Sequence, residues 1–194
     1  LASLKILLEN MQANIGRYKD RDHYLGVSLG IVDDLSHHVQ QILSLSSVQE
    51  LRDKKEVINL LEMTDFVLKD YDLLAKEREI SVVNQLTDQK TYLNPSVFKL
   101  ILSNLISNAV KHSVQGGFLK IGEKDGWVFI ENTCTLEEQD KFEQSFTSSS
   151  RQSKGAGLGL FVVKSLLENE EIDYRFERYE DHLVFYMNLL QKPE

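Results

Sequence analysis

The sequence holds one cysteine, Cys134, among 194 residues, no block of lysines and arginines, and no long uninterrupted apolar run. A lone thiol cannot close an intrachain disulfide, which excludes a disulfide scaffold and a multi-thiolate metal site and fits a reducing cytoplasm. The net charge of −8 and pI near 5.2 exclude a protein that coats nucleic acid, because neutralising phosphates takes a concentrated basic face. With no apolar run of about 18 residues and no basic start leading to a small-residue cleavage pattern, the sequence predicts a soluble chain without a signal peptide. It opens on Leu1, already inside an apolar periodicity, and the expectation is a piece of a longer protein. What is present suffices for at least one sizeable core, since 42% of the residues are hydrophobic.

Leu1, Leu4, Leu8, Met11 and Ile15 alternate steps of three and four, the spacing of a helical seam. Asn14 to Asp20 breaks it, and Leu25, Val32, Leu35, Val39 and Ile42 form a second stripe. Two such helices cannot cover each other fully, so the pattern predicts a helical hairpin that pairs with a second copy into a four-helix bundle. Past Leu51 a charged linker leads into alternating β-type and helical runs. Val57 to Leu60 reads as a strand and Leu61 to Glu79 as one helix with Phe66, Leu73 and Leu74 inward. Ile80 to Leu86 is a strand, and Asn94-Pro95 starts a helix running to about Ser113, with Asn as cap and Pro in the first turn. Lys124-Asp125-Gly126 between two apolar runs predicts a hairpin. The polar, Ser-rich stretch Glu137 to Lys154 reads as a flexible flap. A helix over 157–169 and strands over 172–178 and 183–189 complete an α+β fold, helices on one face of a mixed or antiparallel sheet.

Two elements carry chemistry. Gly155, Gly157 and Gly159, with Leu158 and Leu160 between and after them, precede a helical run, so backbone N–H groups stand bare at a helix N-terminus. That is a phosphate cradle. It lacks the Gly-Lys-Ser/Thr ending of a P-loop and the spacing of a dinucleotide fingerprint. The bland alternative is a Gly-rich turn before a helix. Asn104, Asn108 and Lys111 stand at i, i+4 and i+7, on one face of the helix begun at Pro95. An amide oxygen can ligate Mg²⁺, and a Lys supplies positive charge beside phosphates. The alternative there is a solvated polar stripe.

Together these elements resemble the N box and the second glycine box of the catalytic domain of bacterial two-component sensor histidine kinases, in the GHKL ATPase superfamily. The resemblance implies an N-terminal dimerisation and histidine-phosphotransfer hairpin over 1–51 and a catalytic, ATP-binding α/β sandwich over 52–194 with an ATP lid at about 135–156. It implies Mg²⁺ on Asn108, phosphate contacts from Asn104 and Lys111, and the glycines at the phosphate-facing end of the lid. Phe142 and Phe146 fall near the family's aromatic F box, one residue further apart than usual. Where the family has Asp-x-Gly-x-Gly for adenine, this chain has Asn132-Thr133-Cys134. Asn keeps a carbonyl acceptor without the charge, which predicts weaker nucleotide binding. The residue four before the metal ligand is a Glu in GHKL hydrolases; Asn104 cannot act as a base, which favours transfer over hydrolysis.

Leu1-Ala2-Ser3-Leu4 looks like the tail of the family's H box, so the resemblance puts the phosphoacceptor histidine upstream of Leu1. His23, His37, His38, His112 and His182 do not replace it. The wording of 14–22 and the Asn/Cys box resemble the VanS and VncS type of sensor kinase, associated with vancomycin response. The implied partners are a second copy of the chain and the receiver domain of a response regulator, and the implied place is the cytoplasmic portion of a membrane-anchored sensor. Two alternatives stay open: a pseudokinase-like interaction module that has lost nucleotide, and a GHKL serine kinase.

Overall fold

A computed structural model describes residues 2–32, 54–147 and 158–189. The chain divides into two compact units, Leu1–Ser44 and Leu45–Glu194; the boundary expected at 51–52 lies outside the described residues.

In the first unit, helix α1 (Ala2–Gln12) ends before Asn14, which takes a left-handed φ of 56°, and a single 3-10 turn (Gly16–Lys19) leads to helix α2, described over 21–32. Two helices joined by a turn are present as expected, with α1 ending at Gln12, so the turn begins one residue before Asn14. Of the predicted stripes, Leu8, Ile15, Leu25 and Val32 are exposed in the single chain, while Leu4 and Met11 are partly buried, so the apolar seam is only partly covered within the described residues of its unit. The second stripe beyond Val32 lies outside the described residues.

The second unit begins with strand β1 (Glu56–Asn59), whose last residue caps helix α3 (Leu60–Lys69): the Asn59 side chain accepts from Glu62 N–H. The predicted single helix over 61–79 is instead two, α3 and α4 (Asp72–Glu77). The break sits at Tyr71, whose hydroxyl reaches 3.0 Å to the Ser103 carbonyl and 2.7 Å to its Oγ. Past this break Ala75 is buried and Leu73, expected inward, is exposed; within α3 the buried face carries Val67, and Phe66, also expected inward, is exposed. Strand β2 (Ser81–Asn84) follows, then β3 (Lys90–Leu93), which pairs antiparallel with β1 and was not foreseen.

Helix α5 (Pro95–His112) starts as the sequence indicates. Asn94 accepts from Ser96 and Val97 N–H, and Pro95 occupies the first turn. Its buried stripe includes Phe98, Ile101, Leu102, Ile106 and Val110, each stabilising the fold by about 1.5–3 kcal/mol relative to exposure. Strands β4 (Phe118–Lys124) and β5 (Trp127–Thr133) form the predicted hairpin, with Asp125 and Gly126 at φ 55° and 82°, the paired positive values of a twist-matched two-residue turn. Helices α6 (Leu136–Thr147) and α7 (Leu158–Asn169) precede strands β6 (Tyr174–Arg178) and β7 (His182–Met187).

The five-stranded sheet has the order β2-β4-β5-β7-β6, parallel only between β2 and β4. Its inward side chains, among them Leu119, Ile121, Val128, Ile130, Phe185 and Met187, share one core with α5 and α7. On the other face Phe129, Val184 and Tyr186 form a small cluster roofed by cations: Arg175 lies 4.9 Å from the Trp127 ring and 4.8 Å from that of Tyr186.

The flap reading is corrected over half its length. Residues 136–147 are a helix because Thr135 and Glu138 have the capping-box spacing, the Thr135 hydroxyl accepting from Glu138 N–H at 3.3 Å. Phe142 and Phe146, at i and i+4, stack at 5.6 Å and set their edges against Phe176 and Phe185. Arg178 pins the polar side by pairing with Asp140 and Glu143 at 2.5 Å each. The rest of the predicted lid, 148–156, lies outside the described residues.

Candidate active site

A pocket of about 70 Å³, partly open to solvent, lies between α5, β5, α6 and α7. Its walls are apolar, from Leu105 and Ala109 of α5, Ile130 of β5, Leu160 of α7, and Leu183 and Phe185 of β7. Set into them are Asn108, His112, Asn132, Glu138 and Gln139.

Each polar group is there for a local reason. Asn132 has the same parity along β5 as Val128 and Ile130, so it faces inward, 7% exposed, flanked in register by Leu119 and Leu183. Its Nδ2 donates to Ser113 Oγ at 3.1 Å. Ser113 follows the last residue of α5, and its hydroxyl donates back to the Ala109 carbonyl at 2.5 Å. Asn108 and His112 are four apart on α5 and share the pocket face. The His112 ring meets Glu138 across the mouth, Nδ1 to Oε2 at 2.5 Å, and Glu138 also holds Lys141 at 2.6 Å. The Lys141 hydrogen bond first, and His112 after it, keep the Glu138 carboxyl below the usual carboxylate range against some burial. Burial, helped by the Glu138 charge, pushes the Cys134 thiol up to about 11; at 5% exposure it is a wall residue and no nucleophile.

The structure gathers some of the predicted site residues and not others. Asn108, Asn132 and Leu160 line the pocket. Asn104 does not: it is 2% exposed and its Nδ2 donates to Leu100 O of its own helix at 2.8 Å. Lys111 is exposed and off the pocket wall. The wall is centred on Leu105, Asn108, Ala109 and His112, roughly a quarter turn from the line joining Asn104 and Lys111, so the face carrying all three predicted groups turns only its Asn108 edge inward. Gly159 sits half-buried in the first turn of α7 beside Leu158; Gly155 and Gly157 lie outside the described residues. His112, Ser113, Glu138 and Gln139 were missed. The i, i+4 relation of Asn108 to His112 and the Thr135-to-Glu138 capping spacing were signals for two of them.

Mg²⁺ takes oxygen ligands and retains waters while bridging phosphates, so it needs few protein donors. Among the described residues no cluster of His, Cys, Asp and Glu could hold a metal by itself. The half-buried Asn108 carboxamide on the pocket wall fits the one-donor arrangement, in which a bound polyphosphate supplies the other oxygens.

Residues 94–189, from the cap of α5 to the end of the described chain, match the family described as histidine kinase-, DNA gyrase B-, and HSP90-like ATPases. Sensor histidine protein kinase HK06 of Streptococcus pneumoniae is 35% identical over 196 residues, covering 97% of this chain and 44% of that protein. Sensor protein VanSB of Enterococcus faecalis is 28% identical over 207 residues, with 97% and 45% covered. The chain thus spans less than half the length of these curated relatives. Among solved structures, Acinetobacter baumannii histidine kinase AdeS superposes with a TM-score of 0.64 at 18% identity, covering 98% of this chain and 95% of that one. Histidine kinase ThkA in complex with response regulator protein TrrA gives 0.65 at 18%, covering 95% and 55%. These two likenesses establish a common fold.

Proposed function

This chain belongs to the histidine kinase-, DNA gyrase B- and HSP90-like ATPases and is akin to sensor histidine kinases, and from that premise we propose that it binds Mg²⁺-ATP in the α5–β5–α6–α7 pocket. The γ-phosphoryl then passes to a histidine on the helical bundle and onward to an aspartate of a response regulator. One observation carries the reading: Asn108 and Asn132, from elements far apart in sequence, converge on a single apolar pocket. An apolar slot with a carbonyl acceptor at its inner wall suits a purine, and an amide oxygen at its rim suits a magnesium-bound polyphosphate.

In this reading Asn132 accepts from the adenine amino group, and Leu105, Ala109, Ile130 and Leu160 exclude water from the base. The metal, when bound, neutralises phosphate charge and orients the γ-phosphoryl. Asn108 holds it, and Lys111, Gly155, Gly157, Leu158 and Gly159 are assigned to the phosphate end. Asn104 has no basic atom, so no residue at that position draws a proton from water and transfer is favoured over hydrolysis. Residues 1–51 serve as the dimerising, phosphotransferring hairpin, 52–194 as the catalytic unit, and 135–156 as the lid. The exposed seam residues Leu8, Ile15, Leu25 and Val32 support pairing with a second copy. The likeness to VanSB supports a sensor of the VanS and VncS type, with this chain as its cytoplasmic portion.

Calorimetric titration with Mg²⁺-ATP tests the reading. A saturable heat is expected from the chain and none from Asn108→Ala in the same concentration range. No detectable heat from the unaltered chain would sink it. The full-length protein should acquire acid-labile phosphate; acid-stable phosphoserine would favour the serine-kinase alternative.

A further inference from the structure

We infer that Ser113 locks the amide of Asn132 with its oxygen toward the pocket, making Ser113 the positioning residue that selects adenine over guanine. The inference rests on the nucleotide reading of the pocket. An Asn side chain, unlike an Asp, has two unlike ends, and a half-turn about its last bond exchanges an acceptor for a donor. Something must decide which end a ligand meets.

The surroundings of Asn132 decide it. Ser113 has one hydroxyl proton, and it is committed to the Ala109 carbonyl at 2.5 Å. Toward Asn132 the Ser113 oxygen therefore offers only lone pairs. Asn132 Nδ2 lies 3.1 Å from that oxygen and 3.4 Å from the Thr133 carbonyl, a second acceptor. The flipped amide would set its oxygen against both. Ser113 cannot retreat: it is 2% exposed, its N–H donates to Ala109 O at 3.1 Å, and its carbonyl accepts from Arg78 Nη2 at 2.7 Å. Asn132 Oδ1 is thus left to the pocket. Adenine carries an amino donor where guanine carries a carbonyl acceptor, so a fixed carbonyl at this wall pairs with the first and repels the second. With a carboxylate at 132 both ends would be acceptors and no lock would be needed.

Competition binding of Mg²⁺-ATP and Mg²⁺-GTP to the full chain tests this. The unaltered chain should prefer ATP, and Ser113→Ala should cut the ATP-to-GTP ratio about tenfold, the worth of one hydrogen bond gained by the wrong base and lost by the right one. In an Asn132→Asp background the same Ser113→Ala change should leave the ratio within about twofold, a result a merely structural Ser113 would not give. Ser113→Cys, whose sulfur is a weak acceptor, gives the same reading should the alanine variant fail to fold. An unchanged ratio in the Ser113 variants, or an equal fall in the Asp background, overturns the inference alone. An unaltered chain that binds neither nucleotide overturns the nucleotide reading and the inference with it.

Discussion

The ring of His112, last residue of α5, lies 2.5 Å from the carboxylate of Glu138 in the first turn of α6, so the pocket mouth is bridged by a side-chain hydrogen bond between its floor and its cover. Side-chain exposures of 47% and 23% place the pair at the weak end of such interactions, roughly 0.5–1 kcal/mol. His112→Ala should therefore speed amide hydrogen exchange in the first turns of α6 about two- to fivefold while leaving α7 unchanged. The pH dependence has a definite sign. Glu138 is held below its ordinary 4.5 by Lys141 first and His112 after it, so its contribution is complete above about that value. It is lost as the pH falls through the lower value of the folded carboxyl. Exchange in α6 should accelerate in that acid window and nowhere between pH 5 and 8 on account of Glu138.

Phe146 is 3% exposed and sets its ring within 5.3 Å of Tyr174 and of Phe185. Phe146→Ala should cost about 3–5 kcal/mol of unfolding free energy, the range for truncating a buried aromatic, measured by denaturant titration. A polar flap over 137–154 would predict almost no cost. A loss under about 1 kcal/mol would mean that α6 is not docked.

The hairpin at Asp125-Gly126, the start of α5 at Asn94-Pro95 and the run of α7 were legible because each rests on neighbours in sequence: a turn with positive φ, a side-chain cap, a 3.6 period. The break at Tyr71 was not, because it depends on a hydroxyl meeting Ser103, 32 residues away. Helix α6 hid behind its own polarity: beyond the exposed Leu136 its apolar content is two phenylalanines one turn apart, and only the opposing Phe176 and Phe185 show what they are for. In the site, residue type and spacing singled out Asn108 and the family resemblance singled out Asn132, and both line the pocket, whereas the rotation of α5 that turns Asn104 away is set by packing of the whole helix, which spacing alone does not fix.

Cys134 lines the pocket with its thiol raised to about 11 from 9.0, chiefly by burial. A thiol at about 11 leaves roughly a hundredth of the unfolded chain's thiolate at neutral pH. Alkylation of the native chain at pH 7.5 should then be at least about 100-fold slower than in denaturant, followed by mass spectrometry. Saturating Mg²⁺-ATP should slow it further by covering the wall. Equal native rates with and without nucleotide would remove Cys134 from the ligand's surroundings.

Glu170, at the end of α7, buries its carboxylate to 1% exposure and faces the Lys55 ammonium at 2.8 Å, with neither carboxylate oxygen aligned in a hydrogen bond. Lys55 is the lone cation paired with it among the described residues. Removing the partner of a buried charge costs more than removing the charge, because the survivor stays desolvated and unpaired. The Lys55 side chain is 32% exposed, so water reaches the pair and the cost falls below that of a sealed one. Lys55→Met should destabilise the second unit by about 1–3 kcal/mol and Glu170→Gln by less, since a neutral amide needs no counter-charge. The double variant should recover part of the Lys55→Met loss, and thermal unfolding of the three variants reads the coupling directly. Simple additivity would mean that the two residues act on stability independently, and that Lys55 packs against α7 through its aliphatic stem alone.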